Sequence, residues 1–259
     1  MRMMKKVLGT VTVLALSVSL LAGCGSTAAS SVSSAASTAA ESTTSSVASE
    51  TTSSAADENA AAAAQLLNDL TGSYQELWPV ILADEYKQTW LDDCTALVGE
   101  DNAEAAFEKL SSMVTGDVYG EDAVKAYANG GGAYFCGFTN GLATLTFDGK
   151  TSTISGTDKD GNVLFSHTYH YIGMEPVRGL YEFESDDADS GEFTYFFLAP
   201  DTSAETYHIE FRYGSDAEAL SQYDAGEYAY WLASGISTDC DQTMIDNCIE
   251  LFCTENLAG

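Results

Sequence analysis

The chain is 259 residues long and carries 39 acidic against ten basic residues, a formal net charge of −29. An excess of that size excludes nucleic acid and anionic lipid headgroups as direct partners and draws cations instead. Once the N-terminal segments are set aside about two hundred residues remain, enough for one domain with its own core.

Arg2, Lys5 and Lys6 form a positive start, and Val7 to Leu21 is apolar but too short for a comfortable membrane span. The stretch ends in Leu21-Ala22-Gly23-Cys24, which resembles the lipobox of bacterial lipoproteins. That resemblance implies a signal peptide over residues 1–23, cleavage before Cys24 and lipid on the Cys24 thiol. The protein would then be extracytoplasmic and anchored to the bacterial cell membrane, since more than one acyl chain on a residue anchors stably. The alternative is a free cysteine in an ordinary signal peptide. Residues 24–58 are almost entirely Ser, Thr and Ala. Without apolar periodicity such a stretch cannot offset the entropy of ordering, and it is expected to be a disordered tether spanning roughly 30 Å. The folded domain is expected over residues 60–259.

Helical patterns come first. Leu66 to Leu70 leads into Gly72 to Pro79, where Pro79 interrupts a helix or supplies a first-turn proline. Ala83 to Val98 has Tyr86, Trp90, Cys94 and Leu97 at helical spacing, and Asn102 to Met113 repeats the pattern with Asp101 or Asn102 as cap. Past Gly132 the period changes to two. Strands are expected at Tyr134–Phe138, Ala143–Phe147, Ser152–Gly156, Val163–Ile172, Gly179–Glu184, Glu192–Leu198 and Thr206–Tyr213, with Asn140-Gly141, Asp148-Gly149 and Asp160-Gly161 as hairpin turns. A final helix through Phe252, capped by Thr238 or Asp239, closes the chain. The sum is an α+β domain around an antiparallel β-barrel with N-terminal helices and a C-terminal helix.

His208-Ile209-Glu210 is the most pointed stretch. Residues i and i+2 of a strand share a face, so an imidazole and a carboxylate would stand side by side, as in part of a divalent-metal shell. A hydrogen-bonded pair or a solvated strand edge is the plainer alternative. Asp158 to Gly161 and Asp187 to Gly191 lack the ligand spacing of a calcium loop and are expected to be hairpin tips. With Cys24 lipidated, Cys94, Cys136, Cys240, Cys248 and Cys253 are an odd number without C-x-x-C spacing. A thiolate zinc site from Cys240, Cys248 and Cys253 is conceivable, but positions 248 and 253 splay on a helix, and buried small hydrophobes are the simpler role. The pairing of the five is left open. No Gly-x-Ser-x-Gly elbow, phosphate loop or His-Glu-x-x-His is present, and no enzyme activity is expected.

Several local matches fall in order along the chain. Asp69-Leu70-Thr71-Gly72-Ser73-Tyr74-Gln75-Glu76-Leu77-Trp78-Pro79, Asp148-Gly149, Phe183-Glu184, Phe196-Phe197-Leu198-Ala199-Pro200 and His208-Ile209-Glu210-Phe211-Arg212-Tyr213-Gly214-Ser215-Asp216 together resemble the ZinT (YodA) family. The resemblance covers about Asp69 to Cys253, nearly the whole of the expected domain. It implies a lipocalin-like (calycin) barrel that binds zinc chiefly through three histidines, one before Ala-Pro and two in His-x-His. Carried across, those positions fall on Phe196, which cannot ligate, on His208 and on Glu210. A further donor would have to come from His167, His170 or Glu184. Since 167 and 170 differ by three, at most one of those histidines points inward. The function so implied is a lipoprotein that binds or buffers a divalent metal, zinc first, and supplies a metal-uptake binding protein. The alternative is a metal-independent barrel module for a small apolar ligand or a protein partner, with a degenerate metal site.

Overall fold

The structure, a computed structural model, describes residues 47–128, 131–199 and 208–258. The expected signal peptide, Cys24 and the tether up to residue 46 lie outside the described residues, as do Pro200, Thr206 and Tyr207. Eight strands close into an antiparallel barrel: β1 (Gly72–Glu76), β2 (Thr144–Asp148), β3 (Thr153–Thr157), β4 (Val163–Met174), β5 (Tyr181–Ser185), β6 (Tyr195–Leu198), β7 (His208–Gly214) and β8 (Ala233–Ser237). Each pairs with its sequence neighbour, and β8 returns to β1 with Tyr74 opposite Ser237. The helices are α1 (Val47–Asp69), α2 (Leu77–Ile81), α3 (Lys87–Val98), α4 (Glu100–Val114), α5 (Glu121–Ala128), α6 (Ala217–Leu220) and α7 (Gln242–Leu257). The α+β barrel expected from turns and alternation is therefore present. None of the helices among the described residues is long and apolar enough to cross a membrane.

Alternation decides what the barrel contains. Leu145, Phe147, Ile154, Phe165, Tyr169, Phe183, Phe196, Ile209, Phe211 and Tyr213 form one buried core, each separated from the next inward residue of its strand by an outward one. A second core lies outside the barrel, where Leu77, Trp78 and Ile81 of α2, Trp90 and Cys94 of α3, Leu110 of α4 and Ile245, Ile249 and Cys253 of α7 gather on Ile236 of β8. α1 joins the barrel core through Ala63, Leu66 and Leu67, an apolar stripe at helical spacing that Leu70, just past its end, continues. It begins at Val47, so its first turns fall within the stretch expected to be tether.

Gly149 shows how closely α1 is seated. A Cβ there would stand 2.4 Å from the Cα of Asn68 and 2.5 Å from the Leu67 carbonyl oxygen, both backbone atoms that cannot rotate away. Gly149→Ala is expected to cost about 1–3 kcal/mol, the usual range for overpacking. A denaturant titration checks this, and an unchanged midpoint would contradict it.

Several expectations are corrected. β1 lies within the stretch read as helical, because its pairing with β2 and β8 outweighs the short helical pattern on either side. β8 was not anticipated. It is Ala-Ser-Gly-Ile-Ser, in which Ile236 is the one strand-favouring residue, and a Cβ on Gly235 would meet Ile209 Cγ1 at 3.1 Å. Tyr134–Phe138 is not a strand; Phe135 makes only single bridges to Thr115 and Trp231. Residues 191–193 form a 3-10 turn ahead of β6. Asp241, rather than Thr238 or Asp239, caps α7 by accepting from Met244 N at 3.0 Å. α4 starts from Gly99 at φ 83° without a side-chain cap. The Asp158–Gly161 tip is a hairpin turn as expected: the Asp158 carboxylate accepts from Asn162 Nδ2 and from the backbone N–H of Asp160 and Asn162, bonds that hold its pKa below the ordinary value.

Candidate metal-binding surface

β7 places His208 and Glu210 on one face, half-buried, with Ile209, Phe211 and Tyr213 turned into the barrel. Their face is the outer one. His208 stands opposite Ile236, which belongs to the helix-side core, and Glu210 stands opposite Ser234. Glu210 lies near enough to Cys136 for its charge to act on the thiol. Burial first, then Glu210, pushes the Cys136 thiol up to about 12.

Phe196 does not share this face. Its ring is fully buried inside the barrel, with centroids 5.4 Å from Tyr169, 5.3 Å from Tyr213 and 5.8 Å from Phe165. The implication that Phe196 fills the third ligand's place beside His208 and Glu210 is therefore not met by the geometry.

β4 alternates as its register requires. His167 turns inward, its ring 5.9 Å from Phe165, and its Nδ1 is 2.8 Å from Asp187. His170 turns outward and is exposed. It pairs across the strands with Glu184, and its Nε2 is 3.9 Å from Glu184 Oε2. On the other side of the ring, Nδ1 lies 2.7 Å from Asp186 Oδ1. Tyr195 donates to the second Glu184 oxygen, Oε1, at 3.2 Å. A histidine is thus oriented by one carboxylate and aimed at another, which is itself held by a tyrosine. In the tautomer that donates from Nδ1 to Asp186, Nε2 presents its lone pair toward Glu184, and a cation between the two would be held by both.

The two donor pairs are separate. Glu184 stands opposite Tyr195, and Tyr195 opposite Gly214, four residues along β7 from Glu210. At about 3.3 Å per residue and 4.8 Å per strand they lie on the order of 15 Å apart. His167, on the inner face, joins neither. Among the described residues no group of three or more His, Cys, Asp or Glu side chains is placed to hold a metal ion. That includes Cys240, Cys248 and Cys253; no disulfide joins any of the five described cysteines. Sequence reasoning missed Asp186 and Tyr195 as orienting groups. Asp186 could have been noticed as the carboxylate next to the β5 end, but its partner depends on register.

No protein-family profile and no curated protein matches the chain. Among solved structures it is similar to the Zn(II)-bound ZinT-like domain of Streptococcus pneumoniae AdcA, at 17% identity and a TM-score of 0.45, over 71% of this chain and 89% of that one. It is also similar to Zn(II)-bound AdcA of the same organism, at 15% identity and a TM-score of 0.43, over 71% of this chain and 35% of that chain. The likeness is one of fold. The chemistry of this chain rests on its own side chains.

Proposed function

We propose that the chain is a lipid-anchored extracytoplasmic domain that binds a divalent metal, zinc by the chemistry of its donors, on the outer surface of its barrel. Residues 1–23 are the signal peptide, Cys24 carries the lipid, residues up to 58 lead away from the membrane and 60–259 form the domain. The observation that carries the metal assignment is His170 held by Asp186 and directed at Glu184. Imidazole and carboxylate are both zinc ligands, and the orienting carboxylate behind the ring raises ligand basicity. Water would complete the shell. Such an open site binds less tightly than a closed one, which suits buffering an ion and handing it to an uptake protein. His208 and Glu210 are the second candidate pair.

Isothermal titration of the protein with zinc tests this. Saturable binding is expected, lost in His170→Ala, weakened about tenfold in Asp186→Asn and retained in His208→Ala. Loss in His208→Ala alone would move the ion to the His208–Glu210 pair. No saturable binding in the unaltered protein would overturn the metal assignment altogether.

A further inference from the structure

The helix layer contains an arrangement that metal binding does not use. Cys94 on α3 and Cys253 on α7 are both fully buried, and their Sγ atoms lie 3.9 Å apart. The residues come from opposite ends of the domain and meet in the core shared by Trp78, Trp90, Leu110 and Ile249. We propose that Cys94 and Cys253 form a disulfide that fastens α3 to α7. To reach bonding length the two sulfurs need close by only roughly 2 Å, within reach of side-chain rotation. An extracytoplasmic address, which belongs to the function proposed above, is where such a bond persists.

Chemically, a thiolate of one cysteine attacks the disulfide of a small oxidant such as oxidised glutathione and releases one glutathione thiol. The second cysteine thiolate then displaces the other, forming the S–S bond. Two protons and two electrons leave the cysteines, and two glutathione thiols are the product. Burial raises the pKa of both thiols in the folded state, lowering the thiolate fraction that exchange requires. The bond is therefore made while the chain folds, and once enclosed it is shielded from reductants. With Cys94 joined to Cys253, the thiols of Cys136, Cys240 and Cys248 take no part in the bond.

The test refolds the reduced, denatured full chain in a glutathione redox buffer. Free thiols are blocked under denaturing conditions, and the protein is digested without reduction for mass spectrometry. A cross-linked peptide containing Cys94 and Cys253 is expected, absent after reduction and absent from Cys94→Ser and Cys253→Ser chains. Reduction of that bond is expected to be at least tenfold slower in the folded than in the unfolded protein. Recovery of both residues as blocked thiols, or joined to other cysteines, would overturn the proposal. Because the redox buffer is supplied in vitro and no metal is present, the outcome is independent of the membrane address and of zinc binding.

Discussion

Arg212→Met is expected to destabilise the domain by about 3–5 kcal/mol, close to half the stability of an ordinary domain. Arg212 points out of the barrel from β7 and is nevertheless fully buried, because the segment from α6 to Trp231 folds over it. Its Nη1 donates to the carbonyl of Leu220, Nη2 donates to that of Tyr228, and both reach the Gln222 carbonyl at 3.3 Å. The guanidinium also lies 4.4 Å from the Tyr223 ring, and that of Arg178 lies at the same 4.4 Å from it. Methionine preserves much of the volume but leaves three buried carbonyls without a donor, each worth about 1–3 kcal/mol. Lysine retains the charge without the planar fork and is expected to recover only part of the loss. Urea unfolding followed by tryptophan fluorescence measures this, and a loss under about 1 kcal/mol would mean that the overlying segment finds other partners.

Phe196→His is expected to lower stability by about 3 kcal/mol without tightening zinc binding. The substitution restores the residue that a ZinT-like pattern has before Ala-Pro, so from the sequence it looks like repair of a metal site. Within the barrel it exchanges a ring packed against Tyr169, Phe211 and Tyr213 for a smaller, polar one with no partner prepared for its nitrogens. Both the lost packing and the unsatisfied polar group act in the same direction. Denaturation and zinc titration on the same sample check the two halves of the expectation. Tighter zinc binding at undiminished stability would place position 196 beside the metal after all.

These two cases also show what a sequence can convey about such a protein. The barrel was legible from β2 to β7 because alternating apolar residues mark the strands, and Asn-Gly or Asp-Gly turns mark the start of β2 and the β2–β3 and β3–β4 hairpins. β1 and β8 were not, since one is flanked by helical patterns and the other has Ile236 as its one strand-favouring residue; pairing from distant parts of the chain makes them strands. Period two put His208 and Glu210 on one face, yet the choice of face was set by their neighbours. Ile209, Phe211 and Tyr213 are the more apolar set and claim the interior. That signal is present in the sequence. The His170–Glu184 pairing depends on the register between two strands, including the irregularity between Tyr171 and Gly173, which local sequence does not specify.

The pairing of β1 with β8 has a consequence for how the protein comes into being. The first stave of the barrel is also the partner of the last, with the helices α2 to α5 inserted directly after it. While the chain is being made, β1 must wait, its backbone donors and acceptors without their final partner, until the C-terminal part arrives. Closure is then a long-range event whose loop entropy must be met before its contacts reward it, so a slow final folding step is built into the topology. During that interval the unfinished sheet presents two open edges, and the dense negative charge of the chain is one means of keeping such edges from finding those of a neighbouring molecule.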